Sequence, residues 1–165
     1  RSLGQRKGMN AMNLFGEIQK NIKKMKEHKE LGKYTAILEE AANACIDLTM
    51  FFVQAGKAGN FLLPIFNAYK FMELFGDVLV GHFLIDAAGV AAEKLAAIYK
   101  GKGADSAEKQ KALNKENKEA AFYSGRVASA KFFAVESLTT VKARCEAIKM
   151  DEKAPLEMTE AAFAV

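Results

Sequence analysis

Two histidines and two cysteines are the only imidazole and thiol side chains among 165 residues. His82 stands four residues before Asp86, one helical turn, a spacing at which a carboxylate can orient an imidazole. No serine or cysteine nucleophile accompanies that pair, so a structural or surface pair is the expected role. His28 lies among Lys26, Glu27, Lys29 and Glu30, at a charged helix end where an imidazolium meets the helix dipole favourably. A ferritin-like di-metal site needs Glu-x-x-His on two helices. Met25 precedes His28 by three residues and Leu79 precedes His82 by three, so that pattern fails. Cys45 and Cys145 have no CxxC partner, and two free buried thiols in a reducing compartment are expected, with a disulfide left open. So few ligands exclude a multi-ligand zinc or iron–sulfur site. No metal and no catalytic residue are expected.

Phosphate-binding loops are missing as well. Gly56-Lys57 is followed by Ala58 and Gly101-Lys102 by Gly103, so neither completes a G-K-[ST] motif. The amides of 101–103 could hold a phosphate, but a flexible helix connector is the plainer role. Seven methionines and twelve phenylalanines could line an acyl pocket, yet at helical spacing they are expected to be core. Residues 1–33 carry Arg1, Arg6 and seven lysines against Glu17, Glu27 and Glu30. No aromatics are interleaved with them, as a single-strand binder requires, so a solvated helix face is expected and no nucleic-acid partner. The longest uncharged run, 58–69, has 12 residues, short of the about 20 that span a bilayer. With no signal peptide visible, no transmembrane segment and a cytoplasmic location are expected.

The elements that would position these residues are helices. Alanine supplies 28 residues against 21 for Val, Ile and Thr together, which favours helix because alanine loses almost no side-chain freedom on entering one. Met9, Met12, Phe15, Ile18, Ile22 and Met25 form one stripe at steps of three and four, predicting a helix from about Met9 to His28, with Gly32 as the break. A second stripe runs through Tyr34, Ile37, Leu38, Ala41, Cys45, Leu48, Phe52 and Ala55 and stops at Gly56 and Gly59. The third is read as one unbroken helix of nearly 40 residues. Asn60 caps it, Pro64 sits in its first turn, and Phe71, Leu74, Val78, Ile85, Ala88, Ala92 and Leu95 mark its stripe as far as Gly101. Gly76, Gly81 and Gly89 inside it each cost about 1 kcal/mol against alanine, so close packing against a neighbour is the expected reason for them. After a polar loop at 101–111, a fourth stripe follows at Val127, Ala130, Ala134, Leu138, Val141, Cys145 and Ile148. Its polar beginning, 111–119, is expected to project or fray, and Thr159 to cap a final turn in the tail. The fold class is all-α, an antiparallel bundle of about four long helices.

Three segments carry a family resemblance. AYKFMELFGDVLVG at 68–81, continued by LIDAAGVAAEKL to Leu95, resembles the C-terminal helical extension of a subgroup of acyl-CoA dehydrogenases, the 3-methylmercaptopropionyl-CoA dehydrogenase-like subgroup. FYSGRVASAKFFAVESL at 122–138 is similar to the next helix of that extension, Lys131-Phe132 falling in its A-[RK]-F motif. PLEMTEAAF at 155–163 is similar to its ending. At the start, SLGQRKGMNAMNLFGEI at 2–18 resembles the stretch following the family's Y-E-G-T segment, with Arg6-Lys7 as the basic pair. The order and spacing cover essentially the whole chain, departing in a shortened loop before Met9 and a lysine-rich loop at 101–118.

The resemblance implies a parent flavoprotein of fatty acid metabolism. In it a glutamate takes the α proton of an acyl-CoA while FAD accepts the β hydride, giving a 2-enoyl-CoA. That glutamate and the flavin-binding β-domain would lie before Arg1, so FAD is expected in the parent and no cofactor in this segment alone. The start without methionine fits a piece of a longer chain. Arg6 and Lys7 are the candidates for contact with flavin or CoA phosphates, set against solvation of a helix end, which is the expected role. The expected organisation is a single domain over 1–165, with a junction helix at 1–30, a bundle at 31–150 and a tail at 151–165. Its expected role is packing and assembly, with the upstream dehydrogenase domains and further copies of itself as partners. The alternative is a stand-alone helical binding module for acyl chains or a protein partner.

Overall fold

A computed structural model describes residues 9–163. Among these residues no strand forms. Helix α1 spans Met9–Met25, α2 Gly32–Lys57, α3 Leu62–Phe66, α4 Ala68–Gly101, α5 Ala107–Glu116, α6 Lys118–Phe133 and α7 Thr139–Lys149. A π-helical turn at Ala134–Leu138 joins α6 to α7 into one rod, and the short α8, Ala154–Glu157, precedes a 3-10 turn at Glu160–Phe163. In that last turn Ala162 donates its N–H to the Thr159 carbonyl at 3.0 Å.

The rods α1, α2, α4 and α6–α7 run up, down, up and down. Phe15 of α1 meets Phe75 of α4 edge-on at 5.4 Å, Lys26 at the end of α1 pairs with Glu39 near the start of α2, and Arg144 of α7 reaches back to Glu73 near the start of α4. The beginning of α1 and the end of α7 therefore flank the beginning of α4, at one end of the bundle. The core is a single cluster through all four rods. Ile18, Ile22, Leu38, Leu48, Leu74, Ile85 and Leu138 are all but inaccessible, and each such side chain contributes roughly 1.5–3 kcal/mol of burial. Met12, counted in the first stripe, is exposed. The other three stripes lie buried or half-buried as their spacing predicts.

Helix ends explain where the structure departs from the sequence reading. Gly59 (φ +86°) and Gly103 (φ +64°) are left-handed residues just past α2 and α4. Asn60 N–H bonds back to the Ala55 carbonyl and Ala104 N–H to that of Tyr99, each at 2.9 Å, closing both helices in Schellman fashion. Gly32 is no gap but the first residue of α2. A Cβ there would come within 2.5 Å of the Lys26 carbonyl oxygen, so glycine lets the α1–α2 turn close. The third rod is not continuous from Asn60. It breaks at buried Asn67, whose side-chain amide donates to the Leu63 carbonyl at 3.1 Å, a local alternative to the helical ladder. Nor does 111–119 fray. Ser106 caps α5 by accepting from Lys109 N–H, and Asn117 caps α6 by accepting from Glu119 and Ala120 N–H at 3.0 Å. The Tyr99 hydroxyl then ties α5 down through Asn114 at 3.0 Å.

Helix α4 is the one helix among the described residues long and apolar enough to cross a membrane, with a mean hydropathy of 1.6 over its most apolar 18 residues. The sequence reading, which counted runs without any charge, missed this because Asp77 and Asp86 interrupt the run. Both carboxylates reach across to other rods, Asp77 to Arg144 at 3.3 Å and Asp86 to Lys24 at 4.0 Å. Those ion pairs and a deeply buried inner face define α4 as the central helix of the bundle.

Candidate functional site

The side chains that could carry chemistry are already bonded to one another or walled in. Asn21 of α1 donates through Nδ2 to His82 Nδ1 at 3.0 Å and to the His82 carbonyl at 3.2 Å. The Asn21 Oδ1 is buried and has no hydrogen-bond partner. This geometry holds the ring neutral with Nδ1 as acceptor. Burial pushes its pKa below the ordinary histidine value, opposed by the charges of Asp86 and Glu17. The expected His82–Asp86 pair is therefore replaced by His82–Asn21, because Asp86 turns to Lys24 on the adjoining rod. His28 uses Nδ1 to accept the Glu30 and Leu31 N–H groups, each at 3.2 Å, pinning the turn between α1 and α2.

Cys45 and Cys145 are both free and buried. They face each other across α2 and α7, a juxtaposition that separate helical stripes do not reveal. The contact with Cys145, together with burial, pushes the Cys45 thiol up, and both thiols are closed off from solvent. Among the described residues no three His, Cys, Asp or Glu side chains converge as metal ligands would.

A groove of about 220 Å³ lies between α3 and α8, and two larger ones open elsewhere on the surface. One, of about 380 Å³, lies between α2 and α7 and is lined by Glu39, Glu40, Asp47 and Glu146 with Lys142. The other, of about 580 Å³, has a floor of Ala92, Leu95 and Val127 with Tyr99, Lys29 and Lys131 at its rim. Lys131 is already paired with Glu30 at 2.6 Å and stands over the Tyr34 ring. A flavin or CoA needs cations or free amides for its phosphates. Of the two larger grooves, the first is lined mainly by carboxylates, and the second brings Lys29 and the paired Lys131 to its rim beside Glu30. Arg6 and Lys7, the two residues named for that contact, lie outside the described residues.

What the structure adds is apolar surface. Phe61, Leu62, Ile65 and Tyr69, on and beside α3, are all exposed, at the end of the bundle where α1 begins. A second exposed strip runs along the outward side of α4. Neither stood out in the sequence, since periodicity finds one face of a helix and α4 is apolar on two.

Among the described residues the fold is a helical bundle with no cluster of metal-ligand side chains and with apolar surface exposed at one end. The chain belongs to the Acetyl-CoA dehydrogenase C-terminal like family, whose profile matches residues 14–159. The match agrees with the resemblance of the L-F-G and A-[RK]-F segments at the level of that family. No curated protein matches the chain.

Proposed function

We propose that this chain is the C-terminal helical domain of an FAD-dependent acyl-CoA dehydrogenase of the cytoplasm, similar to the 3-methylmercaptopropionyl-CoA dehydrogenase-like subgroup. The parent oxidises an acyl-CoA to the 2-enoyl-CoA, with flavin and glutamate base supplied by preceding domains. This segment performs no chemistry. Its role is to pack against those domains and stabilise their assembly. The observation that carries the reading is the exposed cluster of Phe61, Leu62, Ile65 and Tyr69. It lies at the end where α1 begins, so a domain joined ahead of α1 would be positioned to cover it. None of the four is charged, as at the buried centre of an interface, and Lys70, Asp151 and Lys153 border them as a rim would.

The test is to express the parent reading frame whole and with residues 1–165 deleted. The whole protein should carry bound flavin, bleach on addition of acyl-CoA, and unfold at a higher temperature than the deleted form. A reading frame encoding no dehydrogenase domains ahead of this segment would overturn the proposal, as would acyl-CoA oxidation by the 165 residues alone.

A further inference from the structure

The outward face of α4 carries an unbroken line of uncharged residues: Met72, Gly76, Val80, Phe83, Ala87 and Val90. Steps of three and four put them on one side of the helix over about 27 Å. Met72 is 59% exposed, Val80 46%, Phe83 63% and Val90 48%, and no atom lies within 4 Å of the Cβ position of Gly76. No element of the described chain covers this face.

The line reads alike in both directions. About a twofold axis crossing α4 between Gly81 and His82, Val80 stands opposite Phe83, Gly76 opposite Ala87, and Met72 beside Val90. Large side chains thus meet large ones at the centre and ends, while the small Gly76 and Ala87 meet each other between. That is the self-complementarity an isologous contact demands, in which residue i touches j and j touches i.

We infer that this face of α4 is the contact between two copies of the chain, packed antiparallel through their central helices. The six residues expose on the order of 500 Å² of mostly apolar surface, at the upper end of patches left on monomers. A standard interface covers about 800 Å² per partner, close to 60% of it apolar. The line therefore supplies the apolar centre, and the polar side chains bordering it supply the rim. Asp77 and Asp86 on those borders are already paired with Arg144 and Lys24 within one copy, so two faces meet without bare like charges. This contact adjoins the α3 end at Tyr69 but does not use it, and it stands whether or not the dehydrogenase reading does.

The experiment is sedimentation equilibrium of the 165-residue chain at tens of micromolar, with circular dichroism to confirm that each variant keeps its helix content. The wild type should sediment at twice its 18.1 kDa. Val80→Glu and Phe83→Glu, each at an exposed position, should weaken association by about 30-fold or more, as loss of a central contact does. Phe122→Glu, on the exposed surface of α6, should leave association unchanged.

Register is read by cross-linking with copper–phenanthroline in air. The double variant Gly76→Cys/Ala87→Cys should form a covalent dimer. Either single variant should not, because like positions would lie about 16 Å apart along antiparallel helices. A wild-type monomer overturns the inference, and so does a dimer indifferent to both glutamates. Single variants that cross-link as readily as the double, or a monomer that floats with phosphatidylcholine vesicles in a Phe83-dependent way, overturn it too, the last assigning the face to lipid.

Discussion

The two sides of α4 are equally apolar and apolar for different reasons. On the inner side Leu74, Val78 and Ile85 are closed in by three other rods. There Gly81 and Gly89 are glycines because something occupies the space of a side chain. A Cβ on Gly81 would come within 2.7 Å of Leu138 and one on Gly89 within 2.5 Å of Met25. On the outer side Gly76 has open space. The sequence reading gave all three glycines one cause, close packing, and within a single copy it holds for two. Composition reports how apolar a helix is; only the neighbours report what the apolarity is for.

Substitutions can set the two sides against each other, measured by chemical denaturation at low protein concentration so that association does not enter. The largest contrast is Leu74→Ala against Phe83→Ala. Emptying the inner site should cost about 3 kcal/mol, the usual result for a buried leucine, while the outer truncation should leave the fold within about 0.5 kcal/mol. If the two cost the same, the outer face is not free in the single copy. Next is Gly81→Ala. The new methyl presses on Leu138 as far in as its branch carbon at 3.3 Å, and overpacking should outweigh the gain in helix propensity by about 1 kcal/mol. Gly89→Ala meets only the flexible end of Met25 and should come out near neutral.

Gly76→Ala reverses the sign. With nothing in the way it should stabilise the helix by about 0.5–1 kcal/mol, while widening the Gly76–Ala87 approach between copies. A more stable chain that associates less would separate the two roles of one helix.

The smallest effect belongs to His82, on the third side of α4. Its pKa is lowered in the folded chain, so below the ordinary histidine value near 6.5 the unfolded chain binds more protons. Stability should therefore fall as pH drops below about 6.5, and His82→Gln should flatten that slope. A wild type that gained stability on acidification would show the ring charged and its partnership with Asn21 misassigned.

Much of the bundle was legible in the residues themselves. The stripes 127, 130, 134, 138, 141, 145 and 148 of the last rod are all buried, because on a helix with one wet side the period and the core are the same information. The breaks at Asn67 and Asn117 were not legible. An asparagine ends a helix only when its amide finds a backbone partner, and the sequence does not say whether it will. The outer face of α4 escaped notice for the converse reason, since on a helix apolar on two opposite faces the buried stripe hides the second one. Of the candidate site, the scarcity of reactive groups was plain from the start. The facing of Cys45 and Cys145 and the Asn21–His82 bond depend on which rods become neighbours, and no spacing along the chain encodes that.

Because the long rods are even in number and alternate in direction, the polypeptide enters and leaves at the same end of the bundle, with α2 and α4 standing between the first rod and the last. A unit wired this way can be spliced beside or into another fold without displacing the host's own chain ends. It should equally tolerate rewiring. Joining the region of Met9 to that of Lys149 with a linker long enough to cross the end of the bundle, and opening the chain at Lys102–Asp105, would keep every rod in place. Only the order in which the rods meet during folding would change.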